Sequence, residues 1–117
     1  MSLARGIALF NEGRFWEAHE AWEEVWMLDR HGPERAFYKG LIQVAAGCLH
    51  YTRHNRRGAV NKLGSGSDLL RSLSPTVHGV DVAELVAAVD ALRAGLSSEG
   101  WPDSEPPRIQ SRETLAE

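Results

Sequence analysis

Between Phe37 and Tyr51 the chain is apolar on nearly every side of a helix. Phe37, Tyr38, Leu41, Ile42, Val44, Ala45, Cys48, Leu49 and Tyr51 together cover most of the circumference of a 3.6-residue repeat. A surface helix shows one apolar stripe. A helix apolar on so many sides belongs in the middle of a bundle.

The flanking sequence reads as more helices, separated by residues that stop them. The pattern predicts helices over residues 2–12, 14–29, 33–54, 57–73 and 81–94. Gly13 sits where a left-handed C′ residue is wanted, and Gly32-Pro33 separates the second helix from the third. Asn55 is placed to close the third helix in the left-handed conformation, and Pro75 ends the fourth. Asp81 and Glu84 make a capping-box-like start for the fifth, whose stripe is Val82, Leu85, Val86, Val89 and Leu92. The weak point is Gly64-Ser65-Gly66-Ser67 in the fourth helix, which either allows a close helix contact or bends there. No segment alternates as a half-buried strand does, so no sheet is expected.

From Ser97 onward Pro102, Pro106 and Pro107 exclude regular helix. Trp101 and Ile109 are apolar handles for docking an extended segment, and the last residues are expected to fray. The expected fold is all-α: a compact bundle of about five helices over residues 1–96, with an extended Pro-rich C-terminal arm over 97–117. Gly13-x-Phe15-x-Glu17-Ala18 and Asn55-x-x-Gly58-Ala59 open the second and fourth helices alike, as in tetratricopeptide-type hairpins. Two hairpins are too few for a solenoid, so a closed bundle is expected.

Composition narrows the function classes. A chain of 117 residues suits one core, and 43% apolar with 25% charged residues is ordinary for a globular protein. A formal net charge of -3 argues against broad binding to nucleic acid or an anionic membrane. The single Cys48 excludes an internal disulfide and a multi-cysteine zinc site, and its apolar surroundings make it a small core residue. The first residues carry no secretory signal and no apolar run is long enough to span a bilayer, so a cytoplasmic protein is expected.

Chemistry concentrates in the second helix. Phe15, Ala18, His19, Trp22 and Trp26 share one face, with Trp16 and Glu23 on its flank and Glu20 further out. Polar groups within an aromatic stripe must be bonded, paired or metal-bound. His19 and Glu23 at i, i+4 suit a metal and acid–base work equally, but a histidine on an apolar face is more often a structural one held by a carboxylate, and that reading is preferred. The zinc-protease motif is absent, because position 23 is Glu rather than His. On the third helix Lys39, Gln43 and His50 fall on one polar stripe, and Gly40 and Gly47 beside it would let a neighbour approach closely. That stripe faces solvent or meets the polar patch of the second helix through a Lys–carboxylate contact bridged by Gln43. Were His19 and Glu23 paired there, alanine at either would cost about 1–3 kcal/mol.

These residues also carry a resemblance. Phe10-Asn11-x-Gly13-x-Phe15-x-Glu17-Ala18-His19-Glu20-x-x-Glu23-x-x-Trp26, followed by Lys39-Gly40-Leu41-Ile42-Gln43-x-Ala45-Ala46, His50 and Asn55-x-x-Gly58-Ala59, resembles the small helical family known as domain of unknown function 309. The likeness covers about residues 3–95. It implies an all-helical fold and no particular activity. Its signature positions fall on Glu17, His19, Glu20, Glu23, Trp26, Gly40, Gln43, His50 and Asn55, and the Gly64-Ser65-Gly66-Ser67 segment departs from it.

Three functional readings follow. In the first, the chain is a binding or scaffold module, with a polar cluster of His19, Glu20, Glu23, Lys39, Gln43 and His50 between helices 2 and 3 and an aromatic surface for a protein partner or a second copy. In the second, it is a metal-assisted hydrolase, with His19, Glu23 and His50 as ligands to a divalent metal and Glu20 as general base. In the third, Arg53, Arg56 and Arg57 bind RNA or phosphate weakly. The first is preferred and no cofactor is expected, since three ligands make a thin site and Lys39 on the same stripe would repel a cation. Trp16, Met27 and Leu28 lie away from the core stripe, and Trp16 is expected to be covered by the arm, an intramolecular contact available at any concentration, or failing that by a second copy.

Overall fold

The computed structural model describes residues 2–28, 32, 34–97 and 100–111. Among these residues five helices follow one another: α1 (Ser2–Asn11), α2 (Phe15–Leu28), α3 (Arg35–Thr52), α4 (Arg56–Arg71) and α5 (Val82–Leu96). Each packs on the next in chain order, with α3 in the middle against both α2 and α4. The expected ends of helices 2 and 3 at Asp29 and Pro33, and the frayed last residues, fall outside the described residues. A radius of gyration of 13.3 Å is that of a compact globule of this length, so the hairpins close into a bundle.

The first hairpin turns at Gly13, whose φ of +83° lies in the left-handed region that favours glycine. Phe10 meets Phe15 edge-on across that turn at 5.0 Å, and the fully buried Trp22 lies 5.9 Å from Phe10. In α3, Leu41, Val44, Ala45 and Cys48 are wholly buried, as its apolar circumference requires. Burial pushes the Cys48 thiol far above its ordinary pKa, so it stays a neutral core group.

Helix α4 runs unbroken through Gly64-Ser65-Gly66-Ser67. The sequence there serves contact, not bending. A Cβ on Gly66 would lie 2.9 Å from the Gly40 carbonyl oxygen and 2.7 Å from Val44 Cγ2, so the backbones of α3 and α4 touch at these two glycines. Ser67 turns its hydroxyl toward α5, donating to Asp90 at 2.5 Å, and Arg71 donates to Asp90 at 2.9 Å.

Two expectations are corrected. The chain from α4 to α5 contains a small antiparallel hairpin, β1 (Thr76–Val77) and β2 (Val80–Asp81). His78 and Gly79 both take positive φ, 50° and 78°, which is the two-residue turn that matches strand twist. Asn55 does not close α3 in the left-handed conformation. His54 does so, with φ 57°, and Asn55 is the N-cap of α4, its Oδ1 accepting from the Gly58 N–H at 3.1 Å. Asp81 caps α5 as expected, accepting from the Glu84 N–H at 3.0 Å.

Residues 100–111 hold no helix and cross from the α3–α4 turn to the α1–α2 turn. Trp101 stacks on Tyr51 and His54 with centroids 5.3 and 4.6 Å apart. The Tyr51 hydroxyl lies 3.1 Å from the Pro102 carbonyl oxygen and 2.5 Å from that of Ser104. The Asn11 side-chain amide reads the Ile109 backbone both ways, donating to its C=O at 3.0 Å and accepting from its N–H at 2.8 Å. Among the described residues no helix is long and apolar enough to cross a membrane.

Candidate functional site

Helix α2 has three sides. Phe15, Ala18, Ala21 and Trp22 are buried in the core. His19 and Trp26 are half-buried along the flank, where Trp26 meets α3, and the half-buried Glu23 lies between that flank and the outward side. The outward side carries Glu20, Glu24 and three large apolar side chains, Trp16 at 52% exposure, Met27 at 59% and Leu28 at 88%. Trp16 is not covered by residues 100–111, because Trp101 and Ile109 are committed to α3 and to Asn11. Its inner face lies flat on the His19 ring, with centroids 5.1 Å apart and planes 10° apart.

The expected polar cluster is only partly assembled. Lys39 reaches α2 but lies over the Trp26 ring, 4.9 Å from its centroid, with the Arg35 guanidinium 5.7 Å from the same ring. A cation over the indole face takes the place of the expected Lys–carboxylate contact. Gln43 makes no bridge, and its Oε1 is buried without a hydrogen-bond partner. The same is true of His19 Nδ1 and Trp26 Nε1. Each such atom costs on the order of 1–3 kcal/mol if left unmet. All three sit on α2 or α3, where the fold leaves hydrogen-bonding capacity unused.

His50 is elsewhere. Lys39 and His50 are eleven residues apart on one helix, or roughly 16 Å. His50 Nδ1 lies 3.1 Å from Asn55 Nδ2, at the α3–α4 turn, and its ring fills the space that a side chain on Gly58 would need. No hydrogen bond or ion pair joins His19, Glu20 or Glu23 to Lys39, Gln43 or His50.

Among the described residues no three His, Cys, Asp or Glu side chains stand together as a group able to hold a metal ion. The set His19, Glu23 and His50 is therefore not gathered, and Glu20 points outward with no such centre beside it. The three arginines are not a free patch either. Arg56 donates to the carbonyl oxygens of Leu96 and Gly100 and lies over Trp101 at 5.3 Å, which makes it a clamp for the C-terminal segment. Arg53 and Arg57 are exposed on that turn.

Sequence reasoning missed Arg35 as a second cation on Trp26, and Asn11 as the residue that binds Ile109. Asn11 was visible next to Phe10 in the family-like string, but an amide that reads a backbone 98 residues away leaves no local signal.

The fold and this surface define a class: a bundle of helical hairpins whose second helix carries an exposed indole, Trp16, and a half-buried one, Trp26, against α3. The family model described as Domain of unknown function (DUF309) matches residues 3–61, half of the chain, and the chain belongs to that family. It is also similar to an uncharacterized protein of Aquifex aeolicus (strain VF5), with 26% identity over 104 residues. That match takes in 89% of this chain and 31% of the relative, so the chain spans about a third of that relative's length.

Proposed function

We propose that this is a helical binding module whose partner-facing surface is the outward side of α2 with the adjoining Trp26–Lys39 edge of α3. The observation that carries the reading is that Trp16, Met27 and Leu28, all large and well exposed, lie on one helix. Isolated exposed apolar residues are ordinary, but several on one element, with an indole among them, are what binding surfaces concentrate. Trp16 is already oriented by its stack on His19, so little side-chain freedom is lost on docking. His19, Glu20, Glu23, Lys39 and Gln43 are then the polar surroundings of the contact, while His50 shapes the α3–α4 turn. The helical bundle of residues 1–96 is then the binding unit, and the described residues 100–111 pack against it. The single buried, unpaired Cys48 agrees with a cytoplasmic setting.

The test is a photo-crosslinking residue in place of Met27, with the same residue at exposed Asp103 as the control. A discrete crosslinked partner at Met27, lost on adding Trp16→Glu, is expected. The same products from both positions, or none, would overturn the reading. The metal-hydrolase and RNA readings gain nothing from the positions of His19, Glu23 and His50 or of Arg53, Arg56 and Arg57.

A further inference from the structure

The binding-module reading leaves the chemistry of the partner open, and the α2 surface narrows it. At about 100° per residue, Trp16, Glu20, Glu23 and Met27 fall within about 60° of one another, so they form one stripe along the helix. Its ends are apolar and its middle is acidic, with Glu24 at its border. Helix α2 carries four glutamates and neither lysine nor arginine. Glu17 is paired with Arg14 at 3.2 Å, but Glu20, Glu23 and Glu24 make no ion pair with any described residue. On α3, Arg35 and Lys39 lie over Trp26.

This pattern disfavours a second copy of the chain. An antiparallel pair of α2 helices brings Trp16 onto Met27 of the other copy, and the same register brings Glu20 onto Glu23. A parallel pair sets each glutamate against itself. Either way the apolar contacts come with carboxylates face to face, which opposes association. What complements the stripe is a chain with apolar anchors at the same spacing and cations between them. Trp16 and Met27 are eleven residues apart, or roughly 16 Å along the axis, which is three turns of a partner helix laid alongside.

Resting on the binding-module reading, we infer that this surface takes a cationic amphipathic helix, with two bulky apolar side chains three turns apart and Lys or Arg between them. The apolar ends supply affinity by burying the Trp16 and Met27 side chains. The charges supply register and exclude self-pairing.

The test uses the full chain and two synthetic probes. One is an Ala-based helical peptide with two leucines about eleven residues apart and lysines between them; the other has glutamates in place of the lysines. Calorimetric titration should show the lysine peptide binding at least about tenfold tighter than the glutamate peptide. Trp16→Ala and Met27→Ala should each weaken it by about tenfold, and Glu20→Lys with Glu24→Lys should reverse the preference between peptides. Asp103→Lys, an exposed charge change on the C-terminal segment, should leave binding unchanged. Equal affinity for the two peptides, binding that survives Trp16→Ala and Met27→Ala, or no binding at about 1 mM peptide would overturn the inference. So would light scattering that finds a dimer dispersed by Trp16→Glu. A Met27-specific crosslinked partner combined with no affinity for the lysine peptide would overturn the charge inference alone. Absence of any Met27-specific partner overturns the binding reading beneath it.

Discussion

Gly64 and Gly66 lie two residues apart in α4, and alanine at the two positions should have different consequences. At Gly66 a new methyl group meets backbone: the Gly40 carbonyl oxygen at 2.9 Å and the Val44 nitrogen at 2.9 Å. Backbone atoms on the central helix cannot step aside, so α3 and α4 must separate, at a cost of about 1–3 kcal/mol typical of overpacked cores. Alanine returns about 0.5–1 kcal/mol through lower chain entropy in the unfolded state. The net loss is on the order of 1–2 kcal/mol. At Gly64 the three nearest atoms to the methyl group all belong to the Arg93 guanidinium, with Nε at 2.8 Å. That group ends a flexible side chain, exposed apart from its bond to the Val60 carbonyl oxygen at 3.0 Å. Losing a solvent-accessible bond roughly cancels the alanine gain, so Gly64→Ala should stay within about 0.5 kcal/mol of wild type. Urea unfolding followed by circular dichroism decides between them, since at a slope of about 1–1.5 kcal/mol/M the Gly66 midpoint should fall by about 1 M. A Gly66→Ala midpoint equal to wild type, or equal losses at the two positions, would refute the claim that α3 and α4 meet backbone to backbone at Gly40 and Gly66.

Three other outcomes are expected. Asn11→Ala removes both side-chain bonds to Ile109, so it should cost about 1–2 kcal/mol and speed hydrogen exchange at the Ile109 amide, read by NMR; unchanged exchange would show that the segment is held by other contacts. His19→Ala should cost about 1 kcal/mol or less, because Nδ1 has no partner to lose and only the stack on Trp16 goes, which revises the larger loss expected for a paired histidine; a loss above about 2 kcal/mol in urea melts would mean that the ring is bonded in solution. Asp90 is held below the ordinary carboxylate value of 3.8 by the Arg71 hydrogen bond, against the opposing effect of burial and with help from Ser67. A lowered folded-state pKa means that the unfolded chain takes up the proton first, so this stabilisation is present above the unfolded pKa and is lost as pH falls through the folded one. Asp90→Asn should therefore be less stable than wild type near pH 7 and converge with it toward about pH 3 in pH-dependent thermal melts; a constant gap across that range would rule out the ionised carboxylate as the cause.

Helix positions and the central place of α3 were legible because they depend on periodicity and on Gly, Pro and Asp punctuation, which are local. The hairpin Thr76–Asp81 escaped because two-residue strands are too short to alternate, and its His-Gly turn is not one of the common Asn-Gly or Asp-Gly signals. Gly64-Ser65-Gly66-Ser67 was read as weak on propensity alone. Its merit is relational: small residues in α4 face Gly40 and Val44, in a helix whose register against α4 no single-helix pattern reveals.

The polar cluster shows the same boundary from the other side. Helical spacing put His19 and Glu23 on one flank of α2 and Lys39 and Gln43 on one stripe of α3, and both placements concern single helices. Which groups meet depends on how α2 and α3 register, and there an indole competes with the carboxylates. Trp26 lies between the two stripes and offers Lys39 and Arg35 a polarisable face that costs less desolvation than a buried ion pair. Once the cations have turned to Trp26, Glu20, Glu23 and Glu24 have no ion-pair partner among the described residues, and the outward side of α2 is left acidic. The departure from the expected pairing is thus what leaves the surface acidic, and on that acidity rests the inference of a cationic partner in place of a second copy of the chain.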